Sequence, residues 1–443
     1  MKTMKKQLNL NRNLLLVLLY VLATSFSYAN NVSIKIDDPE GLFKKCTLQR
    51  TYFGNISDVP IEQTEPLIIA GGTEIELQVD GFLVCFIINQ DKHAFFQPLF
   101  ITAGDSITFT PHKVRTDNGY ILYKLIASGK NESNYNFLAD SHSNYDPYVA
   151  IDDKKTDEYI KYHKSKRDVE LSLLNTRKDS LSIPFYNYAL AEIQNKYAWQ
   201  MYKKGVNKDV NVIINSLSPF CYTASWEKFC LSYSERGIEK NLKYLTKNYS
   251  GRILEYLITN YFSWCVKNNL QITTNVNSVI KENIHDTYYL SCIKFFEYIA
   301  QINNKNLPDS ILNETHLIEY KTNIKITLKE FFAEQTNELC YIDFWSSWCT
   351  ACRWVIREAK DRNEILKNKQ MQLIYFSIDA DEQKWRKAVE DDEIEDYPNY
   401  LIVDGNKSPL CKYIYLKAIP HYTLVNKEGM LIQAQATRIE ELH

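Results

Sequence analysis

The sequence predicts a multidomain protein with an N-terminal all-β, sandwich-like module, an α-helical middle region and a C-terminal α/β domain. Three observations support this prediction. The first 140 residues contain short apolar runs separated by turn residues, and the middle of the chain repeats apolar residues at three-to-four spacing. Near residue 345 an apolar run leads directly into a helical pattern, which is typical of an α/β unit. A chain of 443 residues also exceeds the size of one ordinary domain.

Residues 1–29 have the pattern of a cleavable signal peptide. Basic residues without acidic ones precede an apolar run at 14–23, and the small residues Ser27 and Ala29 indicate cleavage before Asn30. The run is shorter than the roughly 20 residues that span a bilayer, so an uncleaved membrane anchor is the alternative. Cleavage would change the formal net charge from −2 to −6. We therefore expect an exported, periplasmic protein, and the charge gives no reason to expect nucleic acid as a partner.

Residues 30–140 form the predicted β-rich module. Residues 32–36 and 74–79 alternate apolar and polar side chains with a period of two, and residues 82–88 form a continuous apolar run. Turn residues between these runs favour a small antiparallel sandwich. Because no catalytic residue types gather in this segment, we interpret it as an interaction or spacer domain.

Residues 141–312 form the predicted helical region and linker. Five segments carry an apolar stripe at helical spacing, namely 157–174, 184–202, 238–247, 253–268 and 288–303. Their many aromatic residues are expected in the core of the region. From residue 303 onward the pattern weakens, so residues 303–319 are interpreted as a linker into the C-terminal domain, which we place at 313–443.

A strand, a turn and a helix are predicted around residue 345. Residues 339–345 are strongly apolar, as in a central strand that is buried on both faces. Ser346 and Ser347 interrupt this run, and apolar residues then recur at helical spacing from Cys349 onward. Cys349 and Cys352 therefore lie where a helix begins, and backbone N–H groups without helical partners stabilise a thiolate there. We predict a redox-active disulfide between them, with Cys349 as the nucleophile.

The ten cysteines of the chain allow other interpretations besides a redox-active pair. A zinc site would need further ligands at similar spacing, and the sequence contains no second Cys-x-x-Cys pair. A purely structural disulfide is the other alternative. Cys85, Cys265 and Cys340 lie in apolar runs and are expected to be buried thiols. Cys221 and Cys230 could form a disulfide, which the sequence alone does not decide.

Residues 342–353 resemble the active-site strand and helix of thioredoxins, with the pattern Ile-Asp-Phe-Trp-x-x-Trp-Cys-x-x-Cys-Arg. Three further stretches extend the resemblance to the secreted TlpA/ResA-like thiol–disulfide oxidoreductases, particularly the long versions of Bacteroidetes: Phe376-Ser377-Ile378-Asp379, Ala418-Ile419-Pro420-His421 and Asn426-Lys427-Glu428-Gly429. The resemblance implies a thioredoxin fold for residues 313–443. It also implies that the dithiol is sufficient for the chemistry, without a metal or another cofactor.

The resemblance implies roles for residues around the cysteine pair. Asp343 occupies the position of the buried acid of thioredoxins. A buried carboxyl group has a raised pKa, so it can accept the proton of Cys352 when this thiol attacks a mixed disulfide. A structural acid paired with a lysine is the alternative. The Ile419–Pro420 peptide is expected to be cis and to face the cysteines, against the alternative of a trans proline at a strand edge. Trp348, Ile419 and Pro420 are the expected substrate-binding residues.

We therefore expect an exported thiol–disulfide oxidoreductase that reduces client proteins with cysteine pairs and receives electrons from a membrane thiol donor. A second interpretation is a copper- or zinc-handling protein that uses Cys349, Cys352 and His421. A third is a binding or scaffold protein without redox activity. Thr350 and Ala351 replace the Gly-Pro that is common between the cysteines of the family, so the sequence leaves the direction of electron flow open.

Overall fold

The computed structural model describes residues 31–439, except for 42–45, 51–53, 57–58, 60–66, 70–73, 80, 90–94, 116–120, 144–155, 207–209, 233–236, 271–273 and 359–361. The predicted signal peptide at 1–29 lies outside the described residues. Within them, no helix combines the length and the apolar content that crossing a bilayer requires. The chain divides into two compact units, 1–54 with 62–234 and 55–61 with 235–443. This division falls inside the predicted helical region, and the four predicted segment boundaries stay predictions.

The strands described in the first unit form two four-stranded sheets. They are β1 (Asn31–Ile36), β2 (Cys46–Arg50), β3 (Leu67–Ile69), β4 (Glu74–Gln78), β5 (Phe82–Asn89), β6 (Phe95–Thr102), β7 (Ser106–Arg115) and β8 (Ile121–Gly129). The orders are β4-β1-β7-β8 and β3-β2-β5-β6. Alternate residues of β1, namely Val32, Ile34 and Ile36, are buried in one apolar cluster with Cys46 and Ile87 of the second sheet. The predicted sandwich is therefore confirmed, but β1 and β7 pair in parallel, so it is not purely antiparallel as expected.

Four helices are described in the first unit, and three of them share an apolar cluster with the second sheet. The four helices are α1 (Glu132–Ser143), α2 (Thr156–Thr176), α3 (Ile183–Lys203) and α4 (Pro219–Ser232). In β6, Leu99 and Ile101 face the sandwich core, whereas Phe100 lies on the other face. The Phe100 ring contacts those of Phe185 and Tyr188 of α3, with centroid distances of 5.6 and 4.8 Å. β6 is thus buried on both faces.

An eight-stranded mixed sheet lies in the second unit. Its strands are β9 (Lys305–Asn306), β10 (His316–Glu319), β11 (Lys325–Thr327), β12 (Leu339–Trp345), β13 (Met371–Ser377), β14 (Asn399–Ile402), β15 (His421–Asn426) and β16 (Met430–Gln433). Their order is β11-β10-β14-β13-β12-β15-β16-β9. β12 pairs in parallel with β13 and antiparallel with β15. Every residue of β12 after Leu339 is buried, so the predicted central strand is confirmed.

Ten described helices accompany this sheet. Four precede it, namely α5 (Ile238–Asn248), α6 (Gly251–Lys267), α7 (Thr274–Asn283) and α8 (Thr287–Ile302). Five connect its strands, namely α9 (Asp309–Glu314), α10 (Leu328–Ala333), α11 (Thr350–Glu358), α12 (Arg362–Asn368) and α13 (Glu382–Asp391). A further short helix, α14 (Pro409–Tyr413), precedes β15. The predicted segments 157–174, 184–202, 238–247, 253–268 and 288–303 correspond to α2, α3, α5, α6 and α8, whereas α1, α4 and α7 were not predicted.

Residues 303–319, which the sequence suggests as a linker, belong to the sheet and its edge. The side-chain oxygen of Asn303 accepts a hydrogen bond from the backbone N–H of Ala434 at 2.9 Å. The amide of Gln433 donates to the carbonyl oxygen of Lys267 at the end of α6, at 2.8 Å. β9 then pairs with β16, and β10 joins the sheet between β11 and β14. These contacts attach the helical segment α5–α8 to the β16 edge of the sheet.

The cysteines outside the predicted redox pair are not disulfide-bonded in the described structure. Cys85, Cys265 and Cys340 are buried, as their apolar surroundings predict. Cys221 is buried and Cys230 is exposed, and the disulfide that the sequence left open between them is not formed.

Glu192 on α3 is a half-buried residue of the first unit. The hydroxyl of Ser218 donates a hydrogen bond to its Oε2 at 2.7 Å. Burial raises the pKa of Glu192 to about 7, although the hydrogen bond from Ser218 and the charge of Lys196 act in the opposite direction. Between the ordinary carboxyl pKa, about 4.3, and pH 7, the folded chain therefore holds a proton here that the unfolded chain has released.

We predict that this proton makes the free energy of unfolding of the first unit fall as the pH rises from about 5 to about 7. Glu192→Gln removes the titrating group, so this variant should gain more stability relative to wild type at pH 8 than at pH 5. Urea denaturation at both pH values measures the difference. The exposed Glu158 of α2 provides the matched control as Glu158→Gln. An equal effect of Glu192→Gln at the two pH values would contradict the prediction.

Candidate active site

Cys349 and Cys352 lie in the turn between β12 and α11 and in the first turn of that helix. They form a disulfide with an S–S distance of 2.10 Å and a Cα–Cα distance of 5.3 Å. β12 ends at Trp345, and the backbone N–H of Cys349 donates to the carbonyl oxygen of Ser346 at 3.1 Å. This turn reverses the chain, so the helix starts immediately above the end of the central strand. The predicted strand–turn–helix around the cysteine pair is confirmed.

The sulfur of Cys349 lies at the N-terminus of α11. The backbone N–H of Cys352 points at this sulfur, with an N···S distance of 3.1 Å. In the reduced protein the same N–H group can donate to a thiolate on Cys349, and the helix dipole favours the negative charge. The geometry therefore stabilises the charged form of Cys349 in particular.

The two cysteines differ in access to solvent. Cys349 is 7% exposed and Cys352 is 2% exposed, so a large client reaches the first sulfur more readily. Cys352 lies underneath, in an apolar cluster with Tyr341 and Trp345 of β12. This arrangement agrees with the predicted assignment of Cys349 as the attacking and Cys352 as the resolving residue.

The predicted substrate-binding residues border Cys349. The Ile419–Pro420 peptide is cis, as the resemblance implies. The carbonyl oxygen of Ile419 lies 3.9 Å from the sulfur of Cys349. Trp348 is 66% exposed, directly before Cys349 in the chain, and Trp354 on α11 is 64% exposed. The surface around the nucleophile is thus an aromatic and backbone surface, on which an extended peptide could lie.

Asp343 is buried on the cysteine side of the sheet. It lies in β12 between Tyr341 and Trp345, and successive side chains of a strand point to opposite faces, so these three share a face. Tyr341 and Trp345 belong to the apolar cluster that contains Cys349 and Cys352. Tyr422, the residue of β15 directly opposite Asp343, belongs to it as well. The structure therefore places the predicted proton acceptor on the same face as the resolving cysteine.

His421 lies on the other face of the sheet. It stands opposite Phe344 in β15 and its ring contacts the ring of Phe344, with centroids 5.7 Å apart. Its Nε2 is 2.9 Å from the carbonyl oxygen of Ala434. His421 is thus separated from Cys349 and Cys352 by the sheet. The predicted alternative in which these three residues bind one metal ion is wrong in its choice of His421, because the period of two directs this side chain away.

Asp379 follows β13, and no role was predicted for it from the sequence. Its carboxylate accepts hydrogen bonds from the backbone N–H and the hydroxyl of Ser347, at 2.8 and 2.6 Å. The hydroxyl of Ser377 donates to it as well, at 2.8 Å. Ser377 and Asp379 appeared only within a stretch that carries the resemblance. The position of Asp379 was a usable signal for a structural role, because an acid directly after a buried strand requires hydrogen-bond donors nearby.

A second contact that the sequence did not predict lies on the side of α11. Arg353 forms two hydrogen bonds to the carboxylate of Asp392, from Nε at 2.7 Å and from Nη2 at 2.9 Å. Arg357, one turn later, donates to the same carboxylate at 2.7 Å. The Asp392 side chain is fully buried, and its hydrogen bonds hold the pKa of Arg353 above the ordinary value. The hydrogen bonds from Arg353 and Arg357 to the buried carboxylate of Asp392 attach α11 to the end of α13.

Part of the C-terminal domain matches a known family model. A family model described as thioredoxin-like matches residues 337–431, which contain β12, α11 and the Ile419–Pro420 turn. No curated protein matches the chain. The thioredoxin-like fold predicted for the C-terminal domain is therefore confirmed. The family match and the cysteine pair together support the predicted oxidoreductase.

Several solved structures are similar to the C-terminal part of the chain. The thioredoxin domain of a thiol-disulfide oxidoreductase from Bacteroides vulgatus is 20% identical, with 32% of this chain and 91% of that chain covered and a TM-score of 0.26. A thiol:disulfide interchange protein from Bacteroides sp. is 22% identical, with coverages of 30% and 79% and a TM-score of 0.24. A thiol-disulfide oxidoreductase from Bacteroides fragilis is 21% identical, with coverages of 26% and 83% and a TM-score of 0.23. Our assignment rests on the family match and the site geometry.

We predict that Cys349 is the first cysteine to be alkylated when the reduced protein is treated with iodoacetamide at about pH 6. The reason is the N–H of Cys352 and the helix N-terminus, which stabilise its thiolate. Cys230 near the end of α4 is exposed and lacks this position, so it serves as an internal control. Mass spectrometry of the peptides should show Cys349 reacting roughly tenfold faster than Cys230 or more. Equal labelling of Cys349 and Cys352 would contradict the assignment.

Proposed function

We propose, from the thioredoxin-like domain at residues 337–431 and the disulfide between Cys349 and Cys352, that this protein is an exported enzyme that reduces disulfides in client proteins. One observation carries the proposal. The more accessible sulfur of the pair is also the one that receives a backbone N–H from the first turn of a helix. A nucleophile needs both properties, access and a stabilised thiolate.

In the proposed first step, the thiolate of Cys349 attacks one sulfur of a client disulfide. A bond forms between Cys349 and that sulfur, the client S–S bond breaks, and the other client sulfur leaves as a thiolate that takes a proton from water. The carbonyl oxygen of Ile419 and the exposed ring of Trp348 are placed to contact the client backbone and side chains next to the attacked disulfide. Pro420 keeps the backbone of this turn free of a ladder hydrogen bond.

In the proposed second step, Cys352 loses its proton to Asp343 and attacks the sulfur of Cys349. The mixed disulfide breaks, the second client sulfur leaves, and Asp343 returns the proton to it. The client has then gained two electrons and two protons, and the enzyme holds the Cys349–Cys352 disulfide. No metal or organic cofactor enters these steps. A thiol donor must reduce the enzyme again, and we propose that this donor is a membrane protein because an exported compartment is oxidising.

The export and the narrower family are part of the proposal. The basic and apolar pattern of residues 1–29 supports a cleavable signal peptide. The stretches around Asp379, Pro420 and Gly429 support a place among the TlpA/ResA-like proteins of Bacteroidetes. The proposed direction, reduction of clients with cysteine pairs, is testable through the covalent intermediate.

We predict that Cys352→Ala traps clients, because the mixed disulfide on Cys349 then has no resolving thiol. The variant, expressed in the exported compartment of its own cell, should accumulate adducts that a reductant dissolves. Cys349→Ala is the matched control and should form none. Mass spectrometry of the adducts identifies the clients. A protein that forms no adducts under any condition would instead be a binding or scaffold protein.

We predict that Asp343→Asn slows the second step and leaves the first step nearly unchanged. An amide cannot accept the proton of Cys352, and general-base catalysis contributes on the order of 100-fold or more. Stopped-flow measurements with a chromogenic disulfide separate formation of the mixed disulfide from its resolution. Cys352→Ala, which abolishes resolution, sets the lower limit in the same assay. If both steps keep their wild-type rates at pH 7, Asp343 has only a structural role.

A further inference from the structure

The turn that carries Cys349 is held by the end of β13. Asp379 is buried, and its two carboxylate oxygens accept three hydrogen bonds from uncharged donors. Two of them come from Ser347, one from its backbone N–H and one from its hydroxyl. A buried carboxylate is costly unless such donors compensate for the lost water, so the contact is specific in geometry.

Ser347 connects this carboxylate to the nucleophile. It lies two residues before Cys349, in the turn that the hydrogen bond from the Cys349 N–H to the Ser346 oxygen closes. The start of the same turn is tied to the same place, since the backbone N–H of Ile378 donates to the carbonyl oxygen of Trp345 at 3.0 Å. Trp345 and Ser347, the two neighbours of Ser346, are therefore hydrogen-bonded to the segment that follows β13.

Cys349 needs this support because two distances define its function. Its sulfur lies 3.1 Å from the N–H of Cys352 and 3.9 Å from the Ile419 oxygen. The first contact belongs to α11 and the second to the turn before β15. A shift of the turn by about 1 Å would lengthen one contact or the other, and shifts of this size in reacting groups cost up to about 100-fold in rate.

Ser377, at the end of β13, restricts the orientation of the Asp379 carboxylate. Its hydroxyl donates to Oδ2 of Asp379 and accepts a hydrogen bond from the backbone N–H of Asp379 at 3.1 Å. Ser377 is the last residue of β13, which pairs with β12 along its whole length up to Trp345. The carboxylate is therefore oriented by the last residue of β13.

We propose that Asp379 is a positioning residue, which acts through Ser347 to place the sulfur of Cys349 for attack on the client disulfide. This inference rests on the proposed function for the meaning of that attack. A negative charge near a thiolate disfavours it by Coulomb repulsion, so a role of the charge alone has the opposite sign from a role in positioning. The two roles are thus separable by experiment.

The test is a double-mutant cycle with Asp379→Ala, Ser347→Ala and the double variant. Two quantities are measured, the rate of Cys349 alkylation as a function of pH, which needs no client, and kcat/KM for the reduction of insulin. We expect Asp379→Ala to lower both about 10- to 100-fold. Ser347→Ala removes one hydrogen bond and should lower both about 2- to 10-fold. In the double variant the loss should equal that of Asp379→Ala alone, because both changes remove the same link.

Asp105 provides the matched control. It is a buried carboxylate in the sandwich of the other unit and accepts hydrogen bonds from Thr102, Asn131 and Tyr135. Asp105→Ala should lower stability without changing the pH profile of Cys349 or kcat/KM. Should Asp379→Ala fail to fold, Asp379→Asn and Ser377→Ala, which change less of the network, are measured in the same way and should slow Cys349 alkylation.

The outcomes separate the two proposals. Unchanged alkylation and kcat/KM in a folded Asp379→Ala variant, or faster alkylation in Asp379→Asn, would overturn the positioning role. Additive losses in the double variant would overturn the link through Ser347. If wild type reduces no insulin and traps no client, but the variants still shift the alkylation profile of Cys349, the proposed function fails and the positioning of Cys349 stands.

Discussion

The burial of β12 on both faces is the constraint on which the redox centre depends. A strand in this position can carry almost no polar group, and its exposed chemistry must come directly after its end. β12 meets this requirement by ending at Trp345, after which a short turn starts α11 and places Cys349 at the helix N-terminus. Asp343 is the exception inside the strand. The proposed transfer of the Cys352 proton would give this buried carboxyl group a chemical role.

Three carboxylates surround the strand–turn–helix, each in a different environment. Asp343 lies on the sheet face that carries the apolar cluster of the two cysteines, Asp379 accepts hydrogen bonds from uncharged groups of the turn, and Asp392 is paired with two arginines on the side of α11. The environments suit different tasks. A carboxylate with neutral donors can hold a loop, and one between two guanidinium groups can fix a helix. The chemistry of the site thus depends on support from both sides.

The helical segment ahead of the domain covers an edge of the sheet. β16 would otherwise present unpaired backbone groups, which favour pairing with other chains. β9 pairs with it, and the contacts of Asn303 and Gln433 attach the ends of α8 and α6 beside it. In the other unit, β6 is covered in a comparable way, with the sandwich core on one face and α3 on the other. The first helical group thus buries a sheet surface, and α5–α8 lie at a sheet edge.

For the described part of the chain, the sequence by itself determined the β, helical and α/β character of the three large segments, but not the strands within residues 303–319. The period-two pattern of 32–36, the helical spacing of 253–268 and the Cys-x-x-Cys pair after a buried strand are local signals, and the structure agrees with them because each element is formed by neighbouring residues. The tertiary structure alone decided contacts between distant residues. Ser347 and Asp379 are 32 positions apart, and His421 was assigned to its face only by pairing with β12. Such contacts depend on strand order and register, which hydrophobic periodicity does not encode.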